Sequence, residues 1–410
     1  MPVGSLKNRL YGAALPIWGK RCPRSQIACH RPDGSEDGRQ DTSTLQAILR
    51  RRHVVGTCIQ TLSKGRPAEC YTAGFARLTP PPRSITPGTF FRTASVAKLV
   101  TALLVFRLQT LAKLSVEEEA AAFLGYPVRN PLHPKTPVTL GMLMSHTSSL
   151  VDTAAYFASF RSSIPLAALL AAPGAFAPCR PGERFQYSNF AAGMVGCLLE
   201  ARFCMSLEAL AQQFLFGPLG LPATFDLSTL RDGGRFAGAS LADGYKVLPF
   251  SRKPAFDARR RLQSAQPLQG PDPANHYLLA SGNLCITAPA MAGLLQAALT
   301  AQSTEKAGTK PFPEPFIDAR SLHQLREPQG EWPDHDIPLT HGMGMLTLDD
   351  PRVSNRVIYG HQGFAYGAVN GVFLTEDGDG FTSFTSGASE QRRGHLSLLN
   401  QDLIRLLIPS

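Results

Sequence analysis

The chain has 410 residues, of which 43% are hydrophobic and 18% charged, and a formal charge of +10. That length can bury a large core in one to three domains, and no apolar run reaches the roughly eighteen residues a membrane-spanning helix requires. The positive charge sits in scattered clusters, Arg50-Arg51-Arg52, Arg252-Lys253, Arg259-Arg260-Arg261 and Arg392-Arg393. Without interleaved aromatics these read as solvated surface and not as a nucleic-acid-binding module.

Residues 1–44 are polar and read as a tail or linker ahead of one domain over 45–410. Lys7 and Arg9 precede the short apolar run Leu10 to Trp18, but Pro16 interrupts it and Lys20-Arg21 follow at once, a poor signal peptide. Gln26-Ile27-Ala28-Cys29 is only a weak lipoprotein-like match, so the compartment is left open. Val54 to Thr61 and Tyr71 to Leu78 are strand-like and joined by a turn through Gly65 and Pro67. Cys58 and Cys70 flank that turn and could carry a bridge. The eight cysteines show no paired metal spacing, and Cys197 and Cys204, in or beside an apolar helix, are expected as buried small hydrophobes.

Helical patterns dominate from about residue 95 to 215, clearest at Leu166 to Ala172 and Phe190 to Phe203. Residues 226–278 have few apolar runs and read as a surface excursion or a small irregular subdomain. Leu284 to Thr300 resumes a helix, with Thr287 as N-cap ahead of Pro289. Strand signals return at Gly344 to Leu348, Val357 to Gly360, Ala368 to Leu374 and Phe381 to Thr385, before a terminal amphipathic helix, Leu396 to Ile408. Strands at both ends with helices between them imply that the termini meet in one antiparallel sheet.

The chemistry concentrates at Phe91-Arg92-Thr93-Ala94-Ser95-Val96-Ala97-Lys98 and the apolar run that follows. A helix apolar nearly all round belongs in a core, yet its first turn carries a hydroxyl and an amine three residues apart, on one face. A lysine buried there is costly without polar partners. A second Ser-x-x-Lys, Ser303-Thr304-Glu305-Lys306, lies in a polar loop and reads as chance. Two later motifs single out the first copy. Tyr187-Ser188-Asn189 precedes a helix, and His361-Gln362-Gly363 lies on a glycine-rich strand.

In this order the three motifs resemble the serine β-lactamase and penicillin-binding-protein superfamily, in its class C-like branch of esterases, DD-peptidases and LACTB-like proteases. Thr136 to Leu150, Pro181 to Glu200 and Gly217-Pro218-Leu219-Gly220-Leu221 resemble further segments of it. The resemblance implies an α/β (α+β) fold of β-lactamase/transpeptidase type, with an antiparallel sheet flanked by helices and a helical lobe. It implies Ser95 as acylated nucleophile, Lys98 as its activating partner and Tyr187 as general base or acid. It also implies Asn189 as a ligand-orienting amide, with His361, Gly363 and Phe364 at the substrate. The Phe364 N–H would complete an oxyanion hole with that of Ser95, while His146 is packing.

The implied reaction is acyl transfer to water from a small ester, amide or peptide, without metal or cofactor; Asp334-His335-Asp336 reads as a loop. Many class C enzymes carry Lys-Thr-Gly where this chain has His361-Gln362-Gly363. A histidine near its ordinary pKa of ~6.5 is mostly neutral at pH 7, so slow β-lactam turnover is expected beside ester hydrolysis. The alternative is a non-catalytic penicillin-binding-like protein that binds peptidoglycan fragments or assembles structurally. Oligomeric state is left open.

Overall fold

The computed structural model describes residues 26–31, 42–78, 80–230, 236, 240–247, 254–257, 267–299, 315–333, 336–365 and 367–408. Nine strands form one antiparallel path. They are β1 (Ala28–His30), β2 (Gly56–Ser63), β3 (Arg66–Arg77), β4 (Gly330–Glu331), β5 (Leu339–His341), β6 (Leu346–Leu348), β7 (Ile358–Ala365), β8 (Ala368–Leu374) and β9 (Gly380–Gly387), in the order β1-β3-β2-β9-β8-β7-β6-β5-β4. The pairing of β2 with β9, Ile59 opposite Ser383, joins the two ends of the chain in one sheet. This is the β-lactamase/transpeptidase-like arrangement, with mixed helix and strand content.

Alternation along the strands covers the sheet on both faces. Val372, Leu374, Cys58 and Leu62 join the core of the central helices. Val369, Phe373, Ile59 and Phe381 pack instead with α1 (Ser43–Arg51) and the last helix, Leu398–Leu407. β8 and β9 are therefore buried along their whole length. Arg52 Nε donates to buried Asp402 at 2.5 Å and Arg51 pairs with it at 3.0 Å, so two arginines of a cluster expected as solvated tie α1 to the last helix.

β1 falls within the stretch expected as tail; it adds an edge strand to β3, Cys29 opposite Tyr71. Cys58 and Cys70 are free thiols with sulfurs 3.6 Å apart on neighbouring strands. Cys197 is buried as expected, whereas Cys204 is exposed, because it is the left-handed residue (φ +51°) that ends its helix. The described parts of 226–278 comprise a 3-10 turn at Leu227–Leu230, loop over 267–278 and short strands, with Ser240–Leu241 parallel to Thr89–Phe90 and Tyr245–Val247 paired with Pro254–Asp257. Ser303 to Lys306, Asp334-His335, Arg252-Lys253 and Arg259 to Arg261 lie outside the described residues.

The helix α2 (Val96–Thr110) runs through the larger core, with Val96 to Leu108 all buried. Strand Thr89–Arg92 delivers the chain to its start, and Asn370 of β8 holds that strand by donating to Arg92 O at 3.0 Å. Opposite it stands α3 (Asn189–Phe203), its N-terminus facing the start of α2. Among the described residues no single helix is long and apolar enough to cross a membrane.

Candidate active site

Ser95 occupies the N-cap of α2, after Ala94 in the left-handed region at φ +52°. Thr93 fixes this turn through two bonds to Leu284 O, from its N–H at 2.9 Å and its hydroxyl at 3.1 Å. One turn along, Lys98 is buried at 4% exposure. Its ammonium donates to Ser95 Oγ at 3.1 Å, Asn189 Oδ1 at 2.9 Å and Ser281 O at 2.7 Å. Three acceptors match the three donors of an ammonium, which answers the cost of burying it. The same nitrogen stands 5.1 Å from the centre of the Tyr187 ring, within cation–π range.

The Tyr187-Ser188-Asn189 turn is held from two sides. Asp152 accepts from Ser188 Oγ (2.9 Å), Asn189 N (3.1 Å), Asn189 Nδ2 (2.8 Å) and Phe190 N (2.9 Å). A carboxylate at the N-terminus of a fifteen-residue helix meets the free N–H groups and the positive end of the dipole. His146 supports the other side. Its Nδ1 accepts from Ser188 N at 3.3 Å and its ring lies 4.4 Å from that of Tyr187. Trp332 covers Tyr187 at 4.9 Å between ring centres.

β7 lies across the turn that carries Ser95. A Cβ on Gly363 would stand 2.4 Å from Thr93 O and 2.9 Å from Ser95 N, so only glycine permits this approach. Phe364 follows, its ring covered by the Arg392 guanidinium at 3.7 Å. Gln362 points to the opposite face, donating to His395 O and accepting from Ser397 N, and thus anchors the C-terminal hairpin.

His361 is on the same face as Gly363 but only 3% exposed. Its ring packs on His341 at 5.8 Å, which packs on His146 at 4.9 Å. His361 Nδ1 donates to Gln362 O at 2.7 Å and His341 Nδ1 to Gly342 O at 2.6 Å. Burial, then the neighbouring His341 and Lys98, push the pKa of His361 well below the ordinary value. Burial lowers that of His341 to about 4, with Lys98 adding to the effect. Burial, His341, Lys98 and His361 depress that of His146 in the same way. All three rings are therefore neutral at pH 7, and His361 brings no fixed cation to the site.

The structure thus brings together Ser95, Lys98, Asn189, Tyr187 and Gly363, with Phe364 next to them and His361 in the buried layer beneath. The sequence does not announce Asp152, His341 or Trp332 as site residues, and it marks Ser281 only as a departure from the family's glycine pair. Ser281 contributes a backbone carbonyl, which no residue type announces, and Asp152 acts on a helix start far along the chain. Among the described residues no cluster of three or more histidine, cysteine or acidic groups could hold a metal ion.

The Beta-lactamase family model matches residues 42–401, and the chain belongs to that family. No curated protein matches it in sequence. Similar solved structures include the octameric penicillin-binding protein homologue from Pyrococcus abyssi, at 18% identity and TM-score 0.67, covering 90% of this chain and 78% of that one. The D-amino acid amidase from Ochrobactrum anthropi SV3 is 16% identical at TM-score 0.64, over 89% and 98%. The D-alanine carboxypeptidase AmpC from Burkholderia cenocepacia is 17% identical at TM-score 0.61, over 89% and 97%. At these identities the likeness is one of fold. Family and neighbours together support serine-hydrolase-type activity in general.

Proposed function

We propose that the chain hydrolyses a small ester or amide through an acyl-Ser95 intermediate. One observation carries the reading: Lys98 Nζ bonded at 3.1 Å to Ser95 Oγ, at the start of a buried helix, with the Tyr187 ring beside it. Ser95 Oγ attacks the acyl carbon while its proton passes to the Lys98–Tyr187 pair, and the pair returns a proton to the departing alcohol or amine. Water then attacks the acyl group, the proton travels back to Ser95 Oγ, and the acid is released. A serine hydroxyl needs such help to act as a nucleophile. Lys98 and Tyr187 stand together at the hydroxyl, so the proton's acceptor is assigned to the pair and not to one member. Asn189, held by Asp152 and Lys98, orients the substrate, and the N–H groups of Ser95 and Phe364 take the oxyanion.

Neutral His361 favours substrates that need no cation at that position, such as short-chain p-nitrophenyl esters, over penicillins and nitrocefin. Amidase and carboxypeptidase neighbours fit an amide or peptide as the natural substrate. The test is labelling with a fluorescent phosphonate, followed by mapping of the modified residue and measurement of ester turnover. Label on Ser95 with turnover is expected. A protein that takes no label and hydrolyses nothing would be a binding member of the family, and nitrocefin turned over far faster than simple esters would overturn the substrate preference.

A further inference from the structure

Beside Tyr187 a cavity of about 290 Å³ opens, lined by Arg184, Phe185, Tyr187, Trp332, Pro333 and His395 among others. Its walls are rings. Tyr187 and Trp332 lie 4.9 Å apart, Trp332 and His395 4.4 Å, and Phe185 and Trp332 5.3 Å. The fold builds this arrangement with a specific device. A Cβ on Gly330 would stand 2.2 Å from Phe185 Cβ, so the glycine lets β4 settle onto Phe185 and carries Trp332, two residues on, over Tyr187. The backbone N–H of Trp332 donates to Leu339 O at 2.9 Å and fixes the chain there.

We propose that this cavity is a substrate subsite for a flat apolar group, an aromatic side chain packed among the rings of Phe185, Tyr187, Trp332 and His395. The inference rests on the hydrolase reading only in calling the ligand a substrate. Offset rings at these spacings attract one another beyond simple area burial. A cavity of about 150 Å³ suffices for benzene, so this one holds a phenyl group and its stem. Tyr187 is shared by this cavity and by the Ser95 and Lys98 cluster, its ring centre 5.1 Å from Lys98 Nζ. Filling the cavity with a phenyl in place of a methyl should improve affinity at least about 10-fold, the scale on which apolar pockets discriminate.

Trp18 and Trp332 are the only tryptophans of the chain, so Trp18→Phe makes Trp332 a single reporter. In Ser95→Ala/Trp18→Phe protein, phenylalaninamide should shift Trp332 emission saturably, at least about 10-fold tighter than alaninamide. By calorimetry, Trp332→Ala should abolish the difference between the two amides and Trp332→Phe should retain most of it. Equal affinities for the two amides, or unchanged discrimination in a folded Trp332→Ala protein, would overturn the proposal. If Trp332→Ala does not fold, the comparison of the two amides in the single-tryptophan protein decides alone. Phosphonate labelling of Ser95 without discrimination would sink the subsite and leave the hydrolase. Discrimination without labelling would sink the hydrolase and leave an aromatic binding site.

Discussion

Asn189 Nδ2 donates to Asp152 at 2.8 Å, which turns the oxygen of the same amide toward Lys98 at 2.9 Å. One side chain thus transmits the position of the carboxylate to the ammonium. Asp152→Asn offers the Ser188, Asn189 and Phe190 donors one oxygen in place of two and sets an amide NH2 against them. It should lower kcat about 10-fold or more with little change in KM, and lower Tm, because hydrogen bonds to a charged acceptor are worth about 1.5–3 kcal/mol each. Unchanged kcat in a variant with reduced Tm would make Asp152 a helix cap and nothing more.

Ser95→Ala should abolish phosphonate labelling and ester hydrolysis while leaving the circular dichroism spectrum and Tm close to wild type. The hydroxyl is small and half-buried, and its loss frees one of three Lys98 donors. Ser303→Ala should change neither reading. Label that persists after Ser95→Ala would place the nucleophile elsewhere.

Lys98→Ala and Tyr187→Phe should each reduce kcat by about 10²-fold or more. The double variant should lose much less than the product of the two, since one relay is removed twice. Lys98→Ala also strands Ser281 O and Asn189 Oδ1, so its Tm should fall further than that of Tyr187→Phe. Fully multiplicative rate losses would separate the two residues.

Much of this was legible in the sequence because the signals were local. The apolar run after Ser95, the Thr287 cap, whose hydroxyl accepts from Ala290 N at 3.2 Å, and strand Ala368–Leu374 all announce themselves within a few residues. Helix Ser43–Arg51 carries only a short signal, Leu45, Ile48 and Leu49 on one face, and its first two residues lie inside the stretch expected as tail. Asp152 under a distant helix, Trp332 over Tyr187 and the stack of His146, His341 and His361 are made by long-range packing. Their spacing in the chain is arbitrary, so no pattern could give them. The His361 side chain is the instructive case. Its neutrality followed from ordinary histidine chemistry, but its depth beneath the site depends on His341 from another strand.

Gly363→Ala tests how tightly β7 is pressed on the Ser95 turn. The new methyl meets backbone at 2.4 Å and 2.9 Å, and backbone cannot swing aside as a flexible side chain would. Overpacking of this kind costs about 1–3 kcal/mol or more. The variant should lose Tm and nearly all acylation together, as the Ser95 N–H is displaced. A folded, fully active Gly363→Ala protein would show that the strand does not set the nucleophile's position.

The buried histidines predict how stability responds to acid. His146, His341 and His361 share the layer beneath Tyr187 with the charge of Lys98, and all are depressed below the ordinary pKa of ~6.5. Between that value and the folded-state value, the unfolded chain binds a proton that the folded chain refuses. Stability is therefore full above about pH 6.5 and falls as pH drops toward 4. For His341, lowered to about 4, the loss completed on passing below that value is about 3 kcal/mol. Denaturant titrations at pH 7 and pH 4.5 would read it. His341→Gln removes this proton-binding site while keeping a polar side chain. Wild type should therefore lose about 2–3 kcal/mol more than the variant between those two pH values, and parallel losses in the two proteins would show that His341 is not held neutral by its burial.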